Sequence, residues 1–561
     1  MVGMLTSAGL RLGFDSGDNT STAITVAIVA ISVYLALYWM QTRKAHPDEP
    51  PIVASPVPFV GHILGMAIWG GRYIKSIGAR NSDKPIFTLP ISPRSRIYIV
   101  TDPSLAAAVQ RASRTLSFTP LVPDLTKRVL GLDAATVAIV RQNLDTGGFL
   151  SDMHDLVYTA LGPGESLTSL TSSAATELAT QISTFAKTLP ITPEGSKQQQ
   201  ISLLPWTRAI VTAATAGLLY GPSNPLRTTP SLTSALWAFD AGIPSLLLSP
   251  HPCLTARKAF LAREALADAF TQYLTDNQHA HAAASPLVRK RVDTAQRHGL
   301  SLHAAARSEV SFLFAAVVNS AMAGFWVLAR VFADRDLLEL VRGEVTKAVV
   351  VDHTHESNDT DTEEEGEGVI RLHLDKLLND AACAPTLRAV LRECLRTTSE
   401  NLSTRLVTHS TVLAGKWFLA QGSVVQVAGG VVHRDRRVWG SDADEFAHAR
   451  FLAHDGDGGD GGQKQAGGNQ GSVRADVHPA AFRAFGGGKT LCPGRHFATS
   501  EVVVLVAMVV LMFELEAVDG GGVVVVPEKK DAVLPVHILE PTGQVELVVR
   551  RREGAGRIVV V

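Results

Sequence analysis

One stretch of this chain has its solvent chosen before any folding argument begins. The run Ala23 to Met40, AITVAIVAISVYLALYWM, carries no charge, and its length is near the minimum for crossing a hydrocarbon core of roughly 30 Å. Arg43 and Lys44 follow it and Asp15 and Asp18 precede it, so the positive flank assigns the C-terminal bulk to the cytosolic side. A cleaved leader would have a shorter apolar region with its positive charge in front. The expected layout is a short lumenal N-terminus (1–22), a transmembrane anchor (23–40), a basic and proline-rich hinge (41–62) and one large domain (63–561).

Two later runs imitate spans. Val310 to Ala329, VSFLFAAVVNSAMAGFWVLA, is long enough, but Asn319 and Ser320 at its centre suit a buried helix lining a cavity better than lipid. Val502 to Phe513 is too short and reads as a core helix. These runs account for a mean hydropathy of +0.15 in a chain of 561 residues. With 52 basic and 53 acidic side chains, the chain lacks the basic surplus of a nucleic-acid binder. Its four cysteines, Cys253, Cys383, Cys394 and Cys492, are too few for a disulfide framework and form no C-x-x-C pair for structural zinc.

Between the ends, the pattern predicts a mainly α domain with minor β-sheets. Prolines at 50, 51, 56 and 58 make Glu49 to His62 an extended connector outside any sheet or helix. Ile86–Leu89 and Ile97–Val100 read as a hairpin, Ser104 to Leu395 as mostly helical, and Arg405 to Val427 as alternating strands. The end, Gly522 to Val549, reads as short strands. Asp359–Glu367 is an acidic surface loop, and 454–475 is a flexible glycine-rich insertion.

Two phosphate-like motifs fail on context. Gly456-x-Gly458-x-x-Gly461 lies in that insertion with no strand before it and no helix after it. Gly488-Lys489-Thr490 lacks a glycine five residues before Gly488, where Arg483 stands, and Cys492-Pro493-Gly494 follows it instead of a helix. Neither a G-x-S-x-G elbow nor an H-E-x-x-H helix occurs.

The informative segment is Phe485-Gly-Gly-Gly488-Lys489-Thr490-Leu491-Cys492-Pro493-Gly494-Arg495-His496-Phe497. Glycines let a backbone approach a flat ligand closely. A cysteine just ahead of a helix sits where the N-terminal dipole favours thiolate, the form that binds metal. No base and orienting partner for a nucleophilic cysteine can be identified, and a haem thiolate fits best.

Phe485-x-x-Gly488-x-x-x-Cys492-x-Gly494 resembles the haem-binding loop of the cytochrome P450 family, with Cys492 in the axial-ligand place. Glu393-x-x-Arg396 is similar to that family's E-x-x-R helix, and Arg450, in Arg450-Phe451-Leu452, to the arginine that joins the pair. The resemblance implies a single-domain P450 fold and haem b on the Cys492 thiolate. It also implies a Glu393–Arg396–Arg450 network behind the haem and Arg405 against a propionate. Thr490 stands where the family usually has Arg or His, with Lys489 as a substitute, and the second propionate partner is unassigned. Thr-x-Cys-Pro-Gly-Arg, and Asn319-Ser320 in place of the usual acid–Thr pair, look like the branch with sterol 7α-hydroxylases, prostacyclin synthase and fungal secondary-metabolism members. In that family Asn319 and Ser320 would hold water for proton delivery.

The implied activity is that of an endoplasmic-reticulum monooxygenase acting on a lipophilic small molecule, a terpenoid, sterol or polyketide-like metabolite. Electrons would come from NADPH through a membrane-bound cytochrome P450 reductase docking near Lys489 and Arg495. The alternative is a haem-thiolate isomerase or dehydratase acting on a peroxide or oxygenated lipid without reductase.

Overall fold

The computed structural model describes residues 16–189, 198–352, 369–452, 477–518, 522–553 and 555–561. The acidic 359–367 stretch, the 454–475 insertion with its glycine triplet, and the first 15 residues lie outside them. The described part is mainly helical with four small sheets.

Helix α1 (Ser16–Thr42) contains the apolar run, whose apolar window within Thr22–Thr42 is unburied, while Gln41 at its end is buried. Three other helices among the described residues match a span by length and composition, but Leu302–Phe332 and Arg495–Met512 are each 72% buried over their apolar windows. They belong to the core.

The hinge is not a free connector. Gln41 Nε2 donates to Ser55 O at 2.7 Å, and Glu49 is fully buried, pairing with Arg96 at 3.0 Å and Tyr98 Oη at 3.1 Å. Ile52 forms a parallel bridge with Thr88, and helix α2 (Val60–Arg80) begins inside the expected hinge. The prolines explain how this happens. Pro50 and Pro51 lack N–H donors, but their carbonyls accept from the Thr88 hydroxyl at 3.0 Å and the Thr88 N–H at 2.8 Å.

The main sheet has β1 (Ile86–Pro90), β2 (Arg96–Val100), β3 (Leu116–Ser117), β4 (Leu402–Val407) and β5 (Val424–Ala428) in the order β1-β2-β5-β4-β3. The β1–β2 hairpin pairs Phe87 with Ile99. Side chains alternate across a strand, so Ile86, Tyr98 and Val100 enter one apolar cluster while Phe87, Leu89, Ile97 and Ile99 enter another. Between 411 and 419 a second hairpin completes the strand-rich region expected there.

The helices that position the site are α3 (Pro103–Arg111), α4 (Phe149–Leu161), α5 (Glu165–Thr188), α6 (Leu203–Tyr220), α7 (Ser231–Leu248), α8 (Arg257–Thr275), α9 (Pro286–Arg297), α10 (Leu302–Phe332), α11 (Arg335–Thr346), α12 (Pro385–Thr398) and α13 (Arg495–Met512). Helix α10, about 46 Å long at 1.5 Å per residue, is capped by the Ser301 side chain on Ala304 N. Its C-terminal half packs with α6 and α13 into the largest core cluster. The C-terminal segment differs from the expected run of strands. Only Glu546–Arg551 and Arg557–Val560 are strands, while 522–545 is mostly irregular apart from a Lys529–Pro541 bridge. Prolines at 527, 535 and 541 remove the donors a ladder needs.

Candidate functional site

Helix α12 begins with Pro385 at its first turn and buries one whole face. On that face Arg396 meets Glu393 through two bonds of 2.7 Å, one from Nε and one from Nη2. Its remaining donors go to the carbonyls of His433 (2.6 Å), Ala443 (2.7 Å) and Glu445 (3.0 Å). Arg450 reaches Glu393 Oε1 at 3.4 Å and donates to the carbonyls of Trp439 and Asp442, each at 2.6 Å. Glu393 also accepts from Ala447 N at 2.9 Å. A buried ion pair offsets its desolvation only when the leftover donors are satisfied, and here the 433–450 segment supplies those acceptors. The three residues therefore meet in space, and they tie α12 to the stretch leading towards the cysteine loop.

That loop closes on itself through the Cys492 N–H, which donates to Phe485 O at 2.9 Å. Gly486 (φ 75°) and Gly488 (φ 61°) take left-handed backbone, which a side chain would resist. A Cβ on Gly486 would sit 2.9 Å from Thr490 O, and one on Gly487 would sit 1.9 Å from the Gln110 amide of α3. Phe485 is half-buried against the main core. Tyr158 of α4 donates to Leu491 O, with His154 stacked on its ring at 4.2 Å. Burial pushes the Cys492 thiol up, against the Gly494 N–H and Arg495, which pull it down. The expected lowering by the helix N-terminus is thus outweighed by desolvation in the protein alone.

Beyond the cysteine loop, helices α10 and α13 pack against each other. Ser320 of α10 faces Glu501 of α13, and Gly324 faces Leu505. N-terminal to these contacts both helices become accessible. Residues 498–500 of α13 are half-buried, whereas 501–512 are buried, and on α10 Phe312, Ala315, Ala316 and Asn319 form an accessible stripe, with Ser311 and Phe314 also half-buried. Cys492, half-buried, lies three residues before α13 begins. Residues 537–539 run along α10. Ile538 N donates to Asn319 Oδ1 at 3.1 Å, Trp326 Nε1 donates to Leu539 O at 2.8 Å, and His537 pairs with the buried Asp240 of α7 at 3.1 Å.

The structure separates Asn319 and Ser320. Adjacent helical residues point about 100° apart. Asn319 lies on the accessible stripe, while Ser320 is buried towards Glu501, whose carboxyl also accepts from Thr215 at 2.8 Å. Burial raises the Glu501 pKa to about 7, its hydroxyl partners pulling the other way.

Arg405, on β4, is buried and turns onto the cysteine loop, donating to Gly487 O at 3.2 Å and to Thr490 Oγ1. Lys489 is exposed, and Arg495 donates to Cys492 O at 3.1 Å. Sequence reasoning passed over Arg483. It is 1% exposed, and none of its three guanidinium nitrogens has a hydrogen-bond partner among the described residues. The available signal was its standing as the only Lys, Arg, Asp or Glu in Val477–Gly488.

A flat ligand fits this arrangement. The glycine loop folds tightly on itself and against Gln110 of α3, a half-buried cysteine stands at its end, and two buried arginines flank it. Site and fold together define a haem-thiolate protein of mainly helical architecture. The Cytochrome P450 family profile matches residues 255–542, and the chain belongs to that family. It is similar to the cytochrome P450 monooxygenase nodJ of Hypoxylon pulicicidum, at 29% identity over 94% of this chain and 95% of the relative. A cytochrome P450 monooxygenase of Gibberella zeae is 26% identical over 84% and 82% of the two chains, and Cytochrome P450 7B1 of Mus musculus is 22% identical over 90% and 92%. The solved haem domain of cytochrome P450DA shares the fold with a TM-score of 0.63 at 15% identity, over 91% of this chain and 100% of that one. The protein is a P450 monooxygenase, and the family holds haem through a cysteine thiolate.

Proposed function

We propose that this chain is a membrane-anchored monooxygenase that oxidises a lipophilic small molecule, of terpenoid, sterol or polyketide-like class, with Cys492 as the thiolate ligand. The observation that carries the reading is the position of Cys492, half-buried on a glycine-rich loop just ahead of α13 and flanked by the buried Arg405 and Arg483. Bound haem supplies the oxygen-activating chemistry. The Cys492 sulfur would hold the iron, and the Gly494 N–H directed at it would tune the charge on that sulfur. Ala315 and Ala316 keep the accessible stripe of α10 beside Asn319 small and apolar. Asn319 is the member of the polar pair placed to hold a water there, since its carbonyl oxygen is held by Ile538 N and its amide stays available. Ser320 supports α10 from behind. Electrons come from NADPH through a reductase docking near exposed Lys489, at the endoplasmic-reticulum membrane with the catalytic domain in the cytosol.

Two measurements test this. The reduced, carbon-monoxide-treated protein is expected to show the red-shifted Soret band of thiolate ligation, and Cys492→Ala to lose it; an unchanged band in the variant refutes the ligand assignment. Product carrying label from 18O2, dependent on NADPH and reductase, supports the monooxygenase. Reductase-independent turnover of a lipid peroxide would establish the isomerase reading instead, which the turning of Ser320 into Glu501 favours.

A further inference from the structure

Arg483 is built into the structure at both ends in opposite ways. Its backbone is clamped: its N–H donates to His433 Nε2 at 2.8 Å, and its carbonyl accepts from Asn401 Nδ2 at 3.1 Å. His433 in turn meets Ser399 O through Nδ1 at 3.0 Å. Since Nε2 accepts, the imidazole is the neutral Nδ1–H tautomer, consistent with a pKa pushed down to about 3 by burial and by Arg396. The side chain has the reverse treatment, buried with all three nitrogens unpaired. Arginine cannot shed its charge as a buried lysine can, so an unpaired buried guanidinium is a standing cost.

Its electrostatic surroundings make the cost larger. The one charged side chain acting on it is Arg405, a second buried cation, and burial first, then Arg405, hold the Arg483 pKa down to about 10. Arg405 directs part of its donor set to the cysteine loop at Gly487 and Thr490. Two buried guanidinium groups thus flank the loop that carries the thiolate, with no acidic side chain between them among the described residues. Such a pair calls for an anion with more than one carboxylate, arriving with the ligand the loop accepts.

We propose that Arg483 acts with Arg405 as a clamp for the haem carboxylates, Arg483 filling the role of second propionate partner that the sequence left open. The inference rests on the haem-thiolate reading of Cys492. It explains three observations together: the backbone clamp that aims the residue, its unsatisfied nitrogens, and the presence of Thr490 where a cation was expected. With two arginines already at the loop, Thr490 needs only to accept from Arg405.

The test is haem retention by the full-length holoprotein, followed as transfer of haem to excess apomyoglobin. Loss of a charge-assisted, multi-donor contact predicts that Arg483→Met releases haem about 10- to 100-fold faster, with Arg483→Lys between the two. Reconstitution with haem dimethyl ester supplies the second arm. Wild type is expected to hold the ester less tightly than the free acid, and Arg483→Met to discriminate less. In haem-free protein from haem-limited expression, Arg483→Met is expected to melt higher than wild type, because it removes an unpaired buried charge. Unchanged retention and discrimination in Arg483→Met overturns the proposal, and so does a variant destabilised with and without haem alike, which marks a structural role. A wild type that takes up no haem instead overturns the Cys492 reading.

Discussion

Replacing Glu501 by glutamine should make this protein more stable at alkaline pH and nearly unchanged at acid pH. The carboxyl is fully buried between α13, Thr215 and Ser320, and it keeps its proton to about pH 7 against an ordinary 4.5. A folded-state pKa raised above the unfolded one gives stability that is whole below pH 4.5 and lost as pH rises through 7. At about 1.36 kcal/mol per pH unit, ionising this group in the fold costs roughly 3 kcal/mol once the pH exceeds 7. Glutamine keeps the shape and an acceptor for the Thr215 hydroxyl but never ionises. Over the interval from pH 5 to pH 8 the variant should therefore gain roughly 2.5 kcal/mol on wild type. Unfolding entropy scales with chain length, so for a chain this size that is about 2–3 °C in melting temperature. The assay is differential scanning of both holoproteins at matched pH values, reading the difference between them so that other titrating groups, His537 among them, cancel. A difference that stays flat from pH 5 to 8, or shrinks, refutes the argument.

Three further outcomes are expected. Arg396→Lys removes the fork that serves Glu393 and three carbonyls at once, and breaking a buried pair of this kind costs about 3–5 kcal/mol; the check is soluble yield and melting temperature, with Arg388→Lys on the same helix as a less buried control. Gly486→Ala forces a left-handed alanine costing about 1–2 kcal/mol and a contact with Thr490 O, and should lower both melting temperature and haem content. Removing residues 1–42 should convert the protein from carbonate-resistant to carbonate-extractable in membrane preparations while the Soret band survives; persistence in the resistant pellet would contradict the anchor.

Much of this layout was legible because it depends on short-range pattern. The β1–β2 hairpin follows from alternation between turn residues, and the burial of α10 and α13 from their apolar length. The meeting of Glu393 with Arg396 needs only a spacing of three on a helix. What was not legible depends on direction. Helix α10 is apolar on every face through 321–329, so nothing in the sequence says that Asn319 stays accessible while Ser320 turns to Glu501. Arg483 was passed over for a related reason. A lone arginine between Phe482 and Phe485 reads as a surface charge until its burial and missing partners are seen. The proline-rich hinge was read from what proline forbids, and its docking on Thr88 came from what proline still offers, a carbonyl.

That docking has a mechanical consequence. Gln41, at the end of α1, is bonded to Ser55 and, through its other amide atom, to Phe59 N at 3.4 Å, while Glu49 is locked to Arg96. The link from helix to globule is thus a short strut fixed at both ends, with little slack to swing or rotate. Under the proposed anchoring, with α1 in a bilayer, the globule would have a preferred heading, and the accessible Ile63, Leu64, Ile68 and Trp69 of α2 would travel with it as a fixed bearing surface. Loosening the strut at Glu49 would leave the anchor intact and randomise that heading.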